Sequence, residues 1–581
     1  MTPYRPGTPG RGAPGAPEEP TPGDGGTGLT TPARPHPAPA GTGRGDGGTD
    51  PTPRGTHITA PRSTDPTAPD PRESGARTGD PHLPGAYTTA GRPPAEGAGG
   101  SPAEPVERLS GRARPTGPAD LAVTGATVLT PEGPRPGTLL VDGGRIRAVV
   151  PPGTRVTAGE TIDARGLHLV PGVIDLHVHF DVPGISLETD FRTGTRSAAA
   201  GGVTFVVEHP FSDPPTTTAA RYRDKRRSAA AGAVVDFGLW GALTRPSLDE
   251  MEGQHALGAP GFKAFLPEND MDFPPATEAD LLTGMTTAAR LGARVLVHAE
   301  DRDALTAGEA ALRARRRTDV AALLEARPPS TEIDAVRKVL RLATRTGCAV
   351  HLVHLSTPEA VDLVTQARAA GLDATCEVTA HHLLLNAAEL PALGGFAVCA
   401  PPLRDERHVE RLWDRVRAGH VQAVVSDHCP YGRADKLAGS DDVFRCPFGI
   451  QSVQEYVPLV VSEALRRGMP LADIVALMTE GPARICGADG SKGALRPGMD
   501  ADFALLDLDS PWVVSAERQQ HAEERWSPYD GRTSTVRVVR TVVRGRTVAL
   551  DGAVTASGGS GRYLPLSGPA RQPSGEAACR I

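Results

Sequence analysis

From about Leu169 to Ile485 the chain alternates short β-branched or aliphatic runs with stretches of helical periodicity, and eight strand-like runs can be counted. They are VIDLHVHF, GGVTFVVEH, AVVDFGLWG, GFKAFLPE, ARVLVHAED, AVHLVHLS, LDATCEVTAHH and QAVVSDH. The segments between them have helical spacing. In IDAVRKVLRLATRTG, for example, Ile333, Val336, Leu340 and Ala343 share a face and Gly347 follows as a stop. Such alternation predicts parallel α/β architecture, here a (β/α)8 TIM barrel.

Five of the eight runs close on side chains that bind metals or that can be made to: His177 and His179, Lys263, His298, His354 and Asp427. Catalytic groups in such barrels project from strand C-termini, so residues scattered through the sequence converge in space. Residues i and i+2 of a strand share a face, which puts the imidazoles of His177 and His179 on one side. Taken singly, each histidine reads more readily as a satisfied core residue than as a ligand, and Asp427 needs a partner or a metal after its buried strand. Six such residues in register are hard to explain except as a two-metal site. Lys263 is the odd member, because an ammonium would repel cations. Carbamylation by CO2 would reverse its charge and make it a bridging carboxylate. Asp175, two residues before His177, is left between support of the strand turn and support of a ligand.

The rest of the chain sets bounds. The first 118 of the 581 residues are Gly- and Pro-rich, a composition that buries too little to offset its ordering entropy, so residues 1–118 are expected to be a disordered arm. Residues 119–170 and 489–556 alternate apolar runs with Gly/Asp turns, predicting two parts of one small β-sandwich flanking a barrel at 171–488. Residues 557–581 are expected to be a flexible tail. No signal-peptide core or bilayer-length apolar run is found, which makes a soluble cytoplasmic protein the default with no membrane partner. The net charge of −7 argues against nucleic acid, and basic runs such as RYRDKRR are read as solvated helix faces. Seven cysteines without paired metal spacing fit buried thiols of a reducing compartment.

The motifs VPGVIDLHVHF, GTRSAAAGGVT, GFKAF, VLVHAED, VHLVHLST, CAPPLRDE, VVSDHCPY and SPYDG resemble those of the cyclic amidohydrolases, the group of dihydroorotases, allantoinases and hydantoinases, from about Asp120 to Ala553. The resemblance implies that His177, His179, carbamylated Lys263 and Asp427 hold one divalent ion and Lys263, His298 and His354 the other. Zinc is the metal it implies, although these ligand types also admit manganese or cobalt. Asp427 would be the general base and acid in hydrolytic opening of a cyclic amide or ureide. A homo-oligomer, dimer or tetramer, is expected.

Departures from each relative's pattern sort the substrates. Dihydroorotases place an Arg two residues after the HxH pair, an Asn after the second strand and a His four residues beyond the final Asp. Here Asp181, Ser212 and Tyr431 stand at those places, so the carboxylate of dihydroorotate would meet repulsion. Hydantoinases place a Tyr five residues after the bridging Lys, where this chain has Glu268. The pattern is most similar to that of allantoinases, with the Pro-rich turn HPFSDPPTTT and Cys399 before APP, although Asp181 and His209 depart from it. Asp181, Ser212, His381, Cys399 and Tyr431 are therefore the candidate substrate contacts, with His381 and His382 equally readable as a structural pair.

Arg404 is read as an ion-pair anchor and Cys429 as a bystander thiol rather than a nucleophile. The segments GFKAFLPENDMDFPP and YGRADKLAGSDDVFRCPFG are candidate lids. The alternatives are an amidohydrolase acting on another specialised ring and a barrel kept only as an assembly scaffold. The second would have no need of the ligand set.

Overall fold

The structure, a computed structural model, describes residues 117–130, 132–181, 186–269, 273–520 and 525–566. The expected disordered arm lies outside the described residues except for its last two positions.

The eight expected strands form the barrel: β1 (Val173–Val178), β2 (Val203–Glu208), β3 (Asp236–Leu239), β4 (Gly261–Phe265), β5 (Arg294–His298), β6 (Ala349–Leu352), β7 (Ala374–Thr379) and β8 (Ala423–Val425). Strand β3 runs on into a two-residue strand, Gly241–Ala242, which pairs in parallel with β4. Neighbouring strands are parallel throughout. The ring closes where Val178 bridges His428 and His179 donates its N–H to the His428 carbonyl at 2.8 Å.

Helices fill the intervals as the periodicity predicts. The helix Pro329–Thr346 buries Val336, Leu340 and Ala343 and ends on Gly347 at φ 65°, a left-handed stop that glycine adopts without steric cost. Ala335 and Val339 complete its buried face, with Ile333 only half-buried. In β4, Phe262 and Ala264 pack into the main core with the helices. Strand alternation therefore turns Lys263 to the other side, into register with Leu296 of β5, whose own register partner in β6 is His351.

The two flanking segments fold together, as expected. Strand His168–Pro171 pairs antiparallel with Phe503–Asp507, and one nine-stranded hydrogen-bonded sheet results. Leu121, Val123, Leu139, Phe503, Leu505 and Val542 share its core. The first strand, Ala119–Thr130, changes partner at Gly125: residues 119–124 run along Ala158–Asp163 and residues 127–128 along His168–Pro171. Gly125 has φ 77°, and a Cβ there would meet Arg165 Cγ at 2.5 Å.

The expected flexible tail needs correction over residues 557–566. Arg562 N–H donates to Asp236 Oδ1 at 2.9 Å, Leu564 N–H to the Phe237 carbonyl at 2.8 Å, and Leu566 is buried. Gly and Ser content suggested mobility, but Tyr563 and Leu566 supply apolar surface that offsets the ordering cost. Residues 567–581 lie outside the described residues. No helix among the described residues is long and apolar enough to cross a membrane. The six described cysteines are all buried.

Candidate metal centre and active-site cleft

The six expected ligands meet at the C-terminal end of the barrel. His177 lies within β1 and His179 just beyond it, Lys263 within β4, His298 at the last position of β5, and His354 and Asp427 two residues past β6 and β8. All six line one cleft of about 580 Å³. His177 Nε2 lies 3.2 Å from Asp427 Oδ1 and 3.3 Å from Lys263 Nζ, and His179 Nε2 lies 3.7 Å from Asp427 Oδ1. The rings of His298 and His354 meet edge to face at 4.4 Å.

The spacing fits a metal. Donors about 2.1 Å from a tetrahedral ion stand about 3.4 Å apart, and the His177, His179 and Asp427 separations of 3.2 and 3.7 Å bracket that value. The backbone at two of these ligands is unusual as well. His354 has φ 39° and Asp427 φ 48°, a region that costs a non-glycine residue about 1–3 kcal/mol and that clusters at functional sites.

Burial sets the electrostatics. It holds His177, His179 and His354 well below the usual imidazole range, aided by neighbouring cations, so these rings are neutral and able to ligate. Burial brings Lys263 down to about 8, partly opposed by Asp427 and Glu377, and pushes Asp427 up to about 7, opposed by Lys263. A lysine in that state has a substantial neutral fraction, which is the form that adds to CO2.

The sequence reading missed the residues that aim the ligands. Glu377, buried in β7, accepts from His177 Nδ1, from His351 Nε2 at 3.0 Å and from the His354 N–H at 3.3 Å. This fixes the His177 tautomer and frees Nε2 to face Lys263 and Asp427. Glu300, two residues past His298, accepts from His298 Nε2 at 2.8 Å and leaves Nδ1 as the ring nitrogen available to a metal. Arg327 in turn holds Glu300 at 2.7 and 3.2 Å. The signal for both acids was a carboxylate inside an apolar strand run, CEVT and VHAE, where a solvated role is excluded. Asp175 resolves in favour of the turn: its Oδ1 accepts the N–H groups of His177 and Ser426 at 3.2 and 3.3 Å, which positions β8 just before Asp427.

Of the five candidate substrate contacts, Tyr431 lines the cleft. The other four are not among its described lining residues. Asp181 accepts the Asp213 N–H at 3.2 Å, and the Ser212 hydroxyl is held by the Pro210 and Pro214 carbonyls and by Thr216. The His381 ring lies tilted against that of His382, with centroids 4.5 Å apart, and Cys399 Sγ donates to the Pro401 carbonyl. Asp181, Ser212 and Cys399 each satisfy a neighbouring loop, a pairing that sequence position does not reveal, whereas both buried ring nitrogens of His381 have no hydrogen-bond partner among the described residues.

His209 stacks on His177 at 4.0 Å. Glu268 does line the cleft, 3.8 Å from Arg302. Both expected lids contribute walls, Phe265, Pro267, Glu268 and Asn269 on one side and Tyr431, Phe448 and Gly449 on the other; residues 270–272 lie outside the described residues. Lys436 Nζ donates to the Val398, Pro447 and Gly449 carbonyls, which pins the second wall. Arg404, read as an ion-pair anchor, is buried and anchored instead by hydrogen bonds, donating to Ser356 Oγ and the Arg327 carbonyl.

Residues 168–548 match the family model described as the amidohydrolase family. The chain is 41% identical over 451 residues to an allantoinase of Rubrobacter xylanophilus, covering 77% of this chain and 97% of that one. It is 38% identical over 443 residues to an allantoinase of Deinococcus radiodurans, covering 75% and 97%. Among solved structures, the L-hydantoinase (dihydropyrimidinase) from Arthrobacter aurescens superposes with a TM-score of 0.74 at 30% identity, covering 77% of this chain and all of that one.

Proposed function

Because the chain belongs to the amidohydrolase family and is a metal-dependent hydrolase of cyclic amides, we propose that its substrate is allantoin, opened to allantoate. The observation that carries the reading is the cleft itself. Its described lining holds a complete six-donor set, and its one guanidinium, that of Arg327, is already paired to Glu300. Such a cleft suits an uncharged ureide ring and offers the carboxylate of dihydroorotate no unpaired cation.

His177, His179, Lys263 and Asp427 would hold one divalent ion, and Lys263, His298 and His354 the other, with zinc as the metal. When bound, such ions acidify water and polarise the ring carbonyl. Lys263 serves as a carbamate: its neutral amine adds to CO2, one proton is lost, and the resulting carboxylate carries the charge that two cations demand. Asp427 takes the proton of the attacking water and returns it to the departing ring nitrogen. Glu377 and Glu300 keep the His177 and His298 rings in the tautomers that leave Nε2 and Nδ1 free. Tyr431 and Phe448 wall the ring in and limit bulk water. Glu268 stands at the sequence position of a tyrosine in hydantoinases, and a carboxylate cannot donate to a developing oxyanion, so that part of the hydantoinase pattern is missing from this cleft.

The test is ring opening of allantoin, hydantoin, dihydrouracil and dihydroorotate by the zinc-loaded protein, side by side. Allantoin should have the highest kcat/KM by about tenfold or more. A higher value for any of the other three overturns the assignment.

A further inference from the structure

A second chamber of about 760 Å³, lined among others by Arg302, Leu305, Glu309, Phe444 and Phe448, shares Pro267, Glu268 and Asn269 with the cleft as common walls. Arg327 borders both chambers. Its Nε and Nη2 are spent on Glu300, and its guanidinium carbon stands 4.7 Å over the Phe448 ring. Its backbone is held as well: the N–H donates to the Leu323 carbonyl at 3.1 Å, and the carbonyl receives Arg404 Nη1 at 2.6 Å. None of its described hydrogen bonds uses Nη1, and its side chain retains 11% exposure.

Two consequences follow from that placement. On one edge Arg327 clamps Glu300, and Glu300 clamps His298 Nε2. On the other edge the N–H groups of Nη1 make no described hydrogen bond where the two chambers adjoin. The positive charge is already matched by Glu300, so the free edge favours a neutral acceptor over a second carboxylate. We propose that Arg327 is a specificity residue that receives the carbonyl oxygen of an exocyclic substituent at Nη1, and at the same time a positioning residue that aims His298 at the metal through Glu300. The first half rests on the allantoin reading, since allantoin's ring carries a ureido group with such a carbonyl. The second half stands without it.

The experiment compares wild type, Arg327→Lys and Arg327→Met, each as the zinc-loaded full chain, on allantoin, on hydantoin, which lacks the substituent, and on 5-propylhydantoin, which has the bulk without the carbonyl. Zinc retained after graded chelator dialysis is measured in parallel. Arg327→Met should raise the KM for allantoin about tenfold or more and leave that for hydantoin within about twofold. Wild type should bind allantoin at least about tenfold better than 5-propylhydantoin, a comparison that holds even where a variant fails to fold.

Equal KM changes for allantoin and hydantoin, or no wild-type preference, overturn the specificity role. Arg327→Met should lower zinc affinity about ten- to hundredfold, with Arg327→Lys between it and wild type; unchanged zinc retention overturns the positioning role. Wild type that ignores allantoin but loses zinc on Arg327→Met refutes the substrate assignment and supports the positioning role.

Discussion

Replacing Glu377 provides the sharpest check on how the ligands are aimed, because its carboxylate serves three donors at once: His177 Nδ1, His351 Nε2 and the His354 N–H. In Glu377→Gln one oxygen remains an acceptor and the other becomes an NH2 donor. Turned toward His177, the NH2 would force the proton to Nε2 and cost the ligand its lone pair. Turned toward His351 it is tolerable, because His351 Nδ1 lies 2.8 Å from Thr375 Oγ1 and can donate there instead. The glutamine should settle in the second orientation, losing only the charge assistance, and weaken metal binding about tenfold, or about 1.4 kcal/mol.

Glu377→Ala leaves two buried imidazoles without their acceptor, at about 1–3 kcal/mol each, so it should lower metal affinity about a hundredfold and also lower Tm. Metal content by mass spectrometry after dialysis against graded chelator, with kcat on the same samples, measures both. If alanine and glutamine variants retain metal equally, or both match wild type, the tautomer argument is refuted.

Three further outcomes are expected. Lys263→Ala should lose most of its bound metal, and added short carboxylates should restore part of the rate; full metal content and rate in the variant would remove Lys263 from the site. Asp427→Asn should lower turnover by about two orders of magnitude or more while substrate still binds, read from kcat against KM; a near-normal rate would place the base elsewhere.

Glu455, away from the metal site, is pushed up to about 8 by burial, opposed by its hydrogen bonds to Ser527 and Gln519. Between its ordinary value and about 8 the folded state binds the extra proton, so this residue makes stability fall as pH rises through that window. Glu455→Gln should therefore raise Tm more at pH 9 than at pH 5, and an equal shift at both would show that the carboxyl is not held neutral.

Local sequence determined the framework. Alternating strand and helix periods dictated the barrel, because burying one face of each element against the next leaves few other solutions for parallel β/α units. Strand phase placed His177, His179, Lys263, His298, His354 and Asp427 at one rim, since residues at strand C-termini converge whatever their separation along the chain. Gly347 ended its helix where a left-handed residue was needed.

What only the tertiary structure decided is the set of partners between strands. Glu377 reaches a histidine 200 positions away and Glu300 an arginine 27 positions on, and no periodicity encodes which buried carboxylate meets which ring. The same holds for Asp181, whose carboxylate turns to the Asp213 N–H rather than into the cleft, and for Tyr563 and Leu566, whose packing orders a segment that its glycines and serines made look loose. Hydrophobic pattern is local and repeats along the chain, whereas polar satisfaction is pairwise and nonlocal. Strand sequence can therefore announce the ligands, but only the closed barrel assigns the groups that hold them.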